Sequence, residues 1–480
     1  MKFLGPLSRS FALAGLFLVA PLSVAPAMAA KADVELLQSY LGDWRGKGEM
    51  VGAETETVVC RLSLSKGNQD KVNYSGRCSL AGTVLSVNGT LAYNDSAKRF
   101  EAANPGTTIE LIHTPHDSYN EKVGAAVSAN QLPDILEMDA PFLSNYVWSG
   151  FLQPIDGLID PALLADMTPS NISQGTYPPD GKLYATSLID STVMIYASKK
   201  QLEAVGARIP SGVDDAWTGE EFNALLKTLS EQPDVKWPLD LFRAYGTKTE
   251  WIPYGYEPLL ISAGCDLINR DTWTASGTLD SEACVKATAM MAEWNKNGWV
   301  VPASAGANQF YADGRPAALA WGGFWFYAEA EKVMGDDLIV LPLPKFGEKG
   351  ASPNGTWIYG ISNTASDPEL AGKFLSFMIQ DPAYQEAYRQ HSGFPGLKSF
   401  GAASPLYAPG GPMAVGFEQA AKTAVPRPPH PAYPAITLAA QTAITNILDG
   451  ADPQAELTKA AEAIDADIED NDGYPPFAKE

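Results

Sequence analysis

The sequence predicts an α/β fold preceded by a small β-rich segment, on three observations. From about residue 94 helix-like and strand-like runs alternate, the rhythm of a parallel or mixed sheet wrapped by helices. Between residue 31 and about residue 90 the pattern is instead period-2 alternation in short runs broken by turns. About 450 residues remain once a leader is set aside, several times a typical core-forming unit, so two or three domains are expected.

The leader is residues 1–29. Lys2 and Arg9 make a positive start, Phe11 to Val24 an apolar stretch, and Ala27-Met28-Ala29 a small-residue cleavage site, the pattern of a secretory signal. The stretch is short for a bilayer span, and no later segment reaches the ~20 uninterrupted apolar residues of a membrane helix. A soluble, exported chain is expected. No cysteine stands at the cleavage point, so a lipid anchor is not. Without Lys2 and Arg9, 32 Lys and Arg face 56 Asp and Glu, and the net charge moves from -22 to -24. Nucleic acid and anionic membrane surfaces are poor partners for such a chain, whereas a neutral hydroxylated ligand is not repelled.

Residues 30–93 form the β-rich segment. Thr57 to Leu64 alternates cleanly, and strand-like pieces follow around Val72 to Cys78 and Val84 to Leu91. The four cysteines fall as two local pairs, Cys60 with Cys78 and Cys265 with Cys284. Four thiols allow three connectivities, but in an oxidising compartment these local pairs are plausible structural disulfides, and neither has C-x-x-C spacing. A bridge at Cys60 and Cys78 would staple a unit too small for a large core.

Within residues 94–480 the pattern predicts helices at 94–103, 119–128, 217–230, 282–297, 368–379 and 453–468, and strands at 107–113 and 134–138. Thr218 three residues before Glu221 reads as a capping box, and Asp367 before Pro368 as a helix start. The Pro-rich run 426–434 suits a hinge or a packed loop. His113, His116 and Asp117 lie at a strand end rather than on a helix face, so no metal site is expected. Nucleophile-elbow, zincin, phosphate-loop and dinucleotide motifs are missing from the sequence, and no cofactor is called for.

The run Phe100-Glu101-Ala102-Ala103-Asn104-Pro105-Gly106-Thr107-Thr108-Ile109-Glu110 resembles the opening passage of the family 1 extracellular solute-binding proteins, the receptors of carbohydrate ABC transporters. Further matches follow in family order: Leu132-Pro133-Asp134-Ile135, Gly150 to Ile155, Asp180-Gly181-Lys182-Leu183-Tyr184, Ala216 to Phe222, Gly314 to Leu319, Leu341-Pro342-Leu343-Pro344, and Arg427-Pro428 with Tyr433-Pro434. The resemblance covers about 94–475. It implies a two-lobed periplasmic binding protein fold of type II-like form, with discontinuous lobes, a ligand in the cleft between them, and docking to permease subunits on closure. A monomer is expected. One departure stands out: where members enter with a strand of the first lobe, this chain has the end of its β-rich segment. Either Val84 to Val87 serves as that strand, or an unrelated module covers the lobe's start.

Sugars present apolar C–H faces and a rim of hydroxyls, so their receptors need aromatic plates together with carboxylates, amides and Arg. Three aromatic clusters, read here as loops, qualify: Trp251 to Glu257, Trp321 to Trp325, and Thr356 to Gly360. From them Trp251, Glu257, Trp321, Trp325, Trp357 and Tyr359 are candidate ligand contacts, each weighed against ordinary core packing. Asp139 follows a buried strand, and Asp190 sits in an apolar run where an unpaired charge is costly. Arg427 is a further candidate, with a buried ion pair as the competing explanation. Trp44, Trp148, Trp217 and Trp273 are assigned to packing. The expected function is capture of a sugar or polyol for an ABC permease in the periplasm, without chemical transformation. A periplasmic glycosidase working through two carboxylates is the alternative.

Overall fold

The computed structural model describes residues 39–51, 55–66, 71–80, 83–92, 95–112, 119–129, 131–246 and 249–477. The leader and the His113–His116–Asp117 group lie outside them. The chain divides into two compact units, one ending at Ile109 and one running from Glu110.

The first unit holds four antiparallel strands in the order β1 (Gly42–Val51), β2 (Thr55–Lys66), β3 (Lys71–Leu80) and β4 (Thr83–Ala92), a simple meander, followed by a helix at Asp95–Ala103. Register sets Cys60 opposite Cys78; their side chains, and so the bridge expected there, lie outside what is described. Val84 to Val87 belongs to β4, whose partner is β3, so the strand is spent in the meander rather than in a lobe sheet. Trp44, assigned to packing, sits on the edge strand β1 and is 48 % exposed. The strand expected at 107–113 is not found among the described residues: 107–112 has no regular structure, and Leu111 and Ile112 stand exposed. The alternation there fits a strand, but no neighbouring strand pairs with it to satisfy its backbone.

The second unit is built on two sheets. In the first, β5 (Ile135–Asp139), β6 (Leu152–Gln153) and β7 (Ala185–Thr186) all pair antiparallel with β14 (Trp357–Ser362). Leu136, Met138 and Ile358 from this sheet pack into a core with Phe142, Leu143, Tyr146 and Tyr433. After the two-residue β8 (Ile189–Asp190), the chain enters the second sheet. Its strand order is β10 (Trp237–Asp240), β11 (Ala317–Gly323), β9 (Val193–Ser198), β12 (Leu338–Leu341). Every residue of β9 and β11 is buried, as for strands covered on both faces, so Trp321 to Gly323, which read as a loop, are strand. Two short pairs complete the ladder set: β13 (Ser352–Asn354) with β16 (Ala424–Pro426), and β15 (Phe394–Pro395) with β8. The two sheets, each with its own core, are the two lobes.

Helices form where capping and periodicity predict them. Gly219–Ser230 carries the Thr218–Glu221 capping box and buries Phe222, Leu225, Leu226 and Leu229 along one stripe. Asp367 caps Pro368–Gln380 by accepting from Leu370 N–H. Glu282–Lys296 is joined to the preceding segment by the Cys265–Cys284 disulfide, Cα to Cα 4.8 Å. Trp251–Ser262, of which Trp251 to Glu257 read as a loop, is a helix buried on nearly every side. Pro253 falls in its first turn, where a missing N–H costs nothing.

Candidate functional site

A cavity of about 460 Å³ opens where the ends of both sheets meet the segments that cross between them, within the size range of small-molecule sites. Asp139 at the end of β5 and Trp357 at the start of β14 face each other in register, so one strand pairing delivers a carboxylate and an indole to the same edge. Ile189 and Ser191 come from the passage into β9, and Thr249, Glu250, Trp251 and Tyr254 from the start of the buried helix. Phe324 and Trp325 occupy the short 3-10 turn after β11.

The aromatic wall has two parts. Trp325, 38 % exposed, lies 6.1 Å from Tyr254 at an interplanar angle of 32° and 6.1 Å from Trp251 at 79°. A Cβ on Gly323 would overlap the Trp325 ring, so the glycine is what lets that indole fold back over the strand end. Trp357 is half-buried and held edge-on by Tyr119 at 5.6 Å.

The polar floor is an ion cluster. Arg427 donates to both oxygens of Asp139, Nη2 to Oδ1 at 2.6 Å and Nη1 to Oδ2 at 2.9 Å, and Nη1 also reaches Glu250 Oε2 at 2.7 Å. Glu250 accepts as well from Tyr433 Oη at 2.6 Å, Thr437 Oγ1 at 2.5 Å and Gln441 Nε2 at 3.3 Å. Burial pushes the Glu250 carboxyl up, Arg427 pulls it down, and Asp139 adds to the rise. Burial works against the Arg427 charge, but Asp139 foremost, with Glu250, holds its pKa well above the ordinary value. The guanidinium also lies over the Tyr254 ring at 5.1 Å. With both acids ionised the cluster carries two negative charges against one positive. Tyr254 donates to Ser191 Oγ at 2.8 Å, and Ser191 in turn donates to Gly355 O. Two buried polar atoms of lining residues, Arg427 Nε and Thr249 Oγ1, have no hydrogen-bond partner among the described residues.

Of the predicted contacts, Asp139, Trp251, Trp325, Trp357 and Arg427 meet in this cavity. The other four do not line it. Trp321 points into the second core, 1 % exposed, with Nε1 donating to Gly255 O at 2.8 Å and Phe222 beside it. Tyr359 is two residues past Trp357 on β14 and donates to Glu137 at 2.9 Å, with Tyr384 Oη at 2.8 Å. Asp190 is saturated: Ser170 donates at 2.5 Å, Gln174 and Asn354 at 3.0 Å each, and Ser191 N–H at 2.7 Å. Burial nevertheless raises its pKa. Glu257 pairs with Arg270 at 2.9 Å, and burial raises its pKa to about 8 against the pull of that arginine.

Trp217 is buried, Trp148 donates to Pro475 O at 2.9 Å, and Trp273 stacks 4.5 Å from His430, all in packing roles. Sequence reasoning missed Glu250, Thr249 and Ser191 as site residues. Glu250 had one signal, its place directly before the aromatic cluster that was singled out. A larger surface groove of about 780 Å³ runs beside the Gly219–Ser230 and Glu282–Lys296 helices. It contains none of the predicted residues, and its single aromatic is Phe346, so the smaller, aromatic-walled cavity is the better candidate for a ligand site.

A cleft between two lobes, with stacking rings above a buried charge cluster, defines a ligand-binding protein of the bilobed class. Residues 95–410 match the family described as bacterial extracellular solute-binding protein, and the chain belongs to it. Its fold is shared with an ABC transporter solute-binding protein from Thermotoga lettingae TMO bound with alpha-D-tagatose: TM-score 0.65, 24 % identity, covering 78 % of this chain and 95 % of that one. The GacH receptor of Streptomyces glaucescens GLA.O, solved unliganded and with acarbose, has TM-score 0.62 and 22 % identity over 78 % of this chain and 94 % of its own. UgpB from Mycobacterium tuberculosis, in complex with glycerophosphocholine, has TM-score 0.64 and 19 % identity over 78 % and 94 %. This chain is a solute-binding protein, and no helix among its described residues is long and apolar enough to cross a membrane.

Proposed function

We propose that this chain captures a neutral sugar or related polyol in the aromatic cleft and delivers it, unchanged, to the permease of an ABC transporter. Export by the 1–29 leader would place it in the periplasm, where it acts as a monomer. The observation that carries the reading is the pairing of Trp325, Trp251 and Trp357 with buried polar groups still lacking partners, Arg427 Nε and Thr249 Oγ1. Indole faces take the C–H side of a pyranose, and unpartnered buried groups gain most from a ligand hydroxyl. The chain's net charge of -22 and the commitment of Arg427 to Asp139 and Glu250 disfavour a phosphorylated or acidic sugar. Solved relatives bound to tagatose and acarbose support the same ligand class. A ligand contacting both lobes shifts the population toward the closed form that a permease reads.

Catalysis is the weaker reading because Asp139 and Glu250, the carboxylates of the cleft, are both committed to Arg427, whereas a glycosidase needs an acid and a base or nucleophile free to exchange protons. A thermal-shift screen of the purified protein against mono-, oligosaccharides and polyols tests the proposal, followed by prolonged incubation of any hit. The expected result is a concentration-dependent rise in Tm with the saccharide recovered intact. No shift across the panel, or appearance of hydrolysis products, overturns it.

A further inference from the structure

The segment that follows the helix Pro453–Asp470 joins the two lobes at a place the ligand cleft does not use. That helix packs on Glu282–Lys296 and Tyr433–Leu448. Trp294 of Glu282–Lys296 touches Phe222, and Phe222 touches Trp321 on β11, so the helix belongs with the second sheet. Tyr474 stays tied to it, Oη donating to Asp467 Oδ2 at 2.7 Å. Within two residues the chain reaches the first lobe. Trp148, at the end of the helix Leu143–Trp148, donates from Nε1 to Pro475 O at 2.9 Å, and Tyr177 donates from Oη to Pro476 O at 2.6 Å. Tyr177, with Tyr146 and Val147 from the helix that carries Trp148, sits in the core of the β5–β14 sheet.

The turn into this segment holds Asp472, Gly473 and Tyr474 at φ +54, +73 and +53. Consecutive left-handed residues are costly where a side chain is present and persist only when other contacts hold them. Pro475 and Pro476 have no N–H to satisfy and are pre-set to extended backbone, so they lose little freedom on docking and offer bare carbonyls to ring-borne donors. Aromatic grooves bind proline-rich peptides by the same chemistry. Rings close both flanks: Trp148 lies 4.8 Å from Tyr474 at 64°, and Tyr177 lies 5.8 Å from Phe477 at 56°. Tyr474 also meets His430 edge-on at 5.4 Å, and His430 in turn lies 4.5 Å from Trp273. Burial pushes the His430 imidazole down to about 4, so at neutral pH it joins the stack as an uncharged ring. It stands three residues from Arg427, on the segment that carries the floor of the cleft.

We propose that Tyr474-Pro475-Pro476-Phe477 is a strap: Trp148 and Tyr177 form a proline-recognition groove on the first lobe, and its occupation by this segment of the second lobe ties the lobes to one resting separation. The hold is small, two hydrogen bonds and two ring contacts, and Phe477 is 48 % exposed. It therefore opposes hinge motion without locking it. The strap acts on the ligand-free protein and does not depend on what the cleft binds.

The test is the distribution of distances between the lobes in the ligand-free, full-length protein, read by double electron–electron resonance. Spin labels on p-acetylphenylalanine introduced at Lys227 and Glu386 leave the cysteines alone. Both positions are exposed; Lys227 is on Gly219–Ser230 of the second lobe, and Glu386 is on Pro382–Gln390, whose Tyr384 bonds to Tyr359 of β14. One narrow peak is expected for the otherwise unaltered chain. Trp148→Phe with Tyr177→Phe keeps an aromatic ring at each place and removes both donors; Tyr474→Ala with Phe477→Ala keeps both acceptors and removes both rings. Each pair should widen the distribution. For the first, the held-to-released ratio should fall about 30-fold, or about 2 kcal/mol at about 1.4 kcal/mol per tenfold. Tyr177→Phe alone, a single hydroxyl removed, should lower the ratio about fivefold. Circular dichroism checks that each variant is folded. The proposal is overturned if a folded variant gives the unaltered distribution, even with a lowered Tm, since that marks ordinary packing. A distribution already broad before any substitution overturns it too, because nothing then holds one separation.

Discussion

Arg427→Met tests whether the ion cluster is the keystone of the cleft. The substitution removes three hydrogen bonds, two to Asp139 and one to Glu250, while keeping much of the aliphatic volume. Asp139 and Glu250 are then left buried without their cation. Breaking a buried pair in this way costs about 3–5 kcal/mol. Treating the unit from Glu110 as one cooperative block, with an unfolding entropy of about 0.8 kcal/mol/K, that loss lowers Tm by roughly 5 °C.

The defect should depend on pH with a definite sign. Burial already holds the Glu250 carboxyl above the ordinary range, and Arg427 is the group that restrains the rise. Without the arginine the folded-state pKa moves further up. A carboxyl whose folded pKa is raised contributes stability that is present below its unfolded value of about 4.3 and lost as pH climbs through the folded value. The Tm gap between variant and wild type, measured by calorimetry, should therefore be widest near neutral pH and shrink toward about pH 5. A gap under about 1 °C at neutral pH, or one that fails to narrow in acid, would refute the reasoning.

Three further outcomes follow from the same geometry. Trp325→Ala should weaken saccharide binding by about tenfold with little change in Tm, because its indole is a partly exposed cleft wall; Trp321→Ala should lower Tm as a 3–5 kcal/mol core cavity does, and equal Tm losses in the two variants would contradict the assignment. Glu257→Gln should stabilise the protein relative to wild type at about pH 9 and change little at about pH 4, read from urea midpoints, since the raised pKa of about 8 makes wild-type stability fall as pH rises through that value. Replacing Cys265 and Cys284 together by Ser should cost about 3 kcal/mol by freeing a loop with a sequence separation of 19, measurable as a lower urea midpoint.

Much of the fold is legible because it is local. The Thr218–Glu221 box and the Asp367–Pro368 start each write their element into a few adjacent residues, whereas Trp321 to Gly323 and Trp357 to Gly360, which read as loops, belong to the strands β11 and β14. Misreadings arose where one local signal has two structural meanings. Trp251 to Glu257 reads as a loop, yet it lies in a helix that holds Pro253 in its first turn and Pro258 in its interior. The alternation at 107–112 suggested a strand, but a strand exists only with a partner beside it, and no partner is visible in a single stretch of sequence. The same ambiguity separates Trp321 from Trp325. Both stand in one Gly-rich aromatic run; β11 carries the first into the core, and the 3-10 turn over Phe324–Phe326 swings the second to the cleft.

The charge cluster was the least legible part because its members are 288 and 177 residues apart along the chain, and its assembly shows why. The parallel pairing of β13 with β16 aligns Asn354 with Pro426, so the next residues, Gly355 and Arg427, emerge side by side. Gly355 has φ +136, and a Cβ there would lie 3.2 Å from Arg427 Nη2; glycine alone provides both the turn and the room. From that turn the chain enters β14 at Trp357, whose antiparallel partner is Asp139, the carboxylate that Arg427 grips. A ring, an acid and a guanidinium from three distant segments are thus brought together by two strand pairings and one glycine. The geometry of this candidate site is therefore a property of register: a slip of one residue in the β5–β14 pairing would turn Trp357 or Asp139 to the opposite face of its strand and dismantle it, even with every side chain unchanged.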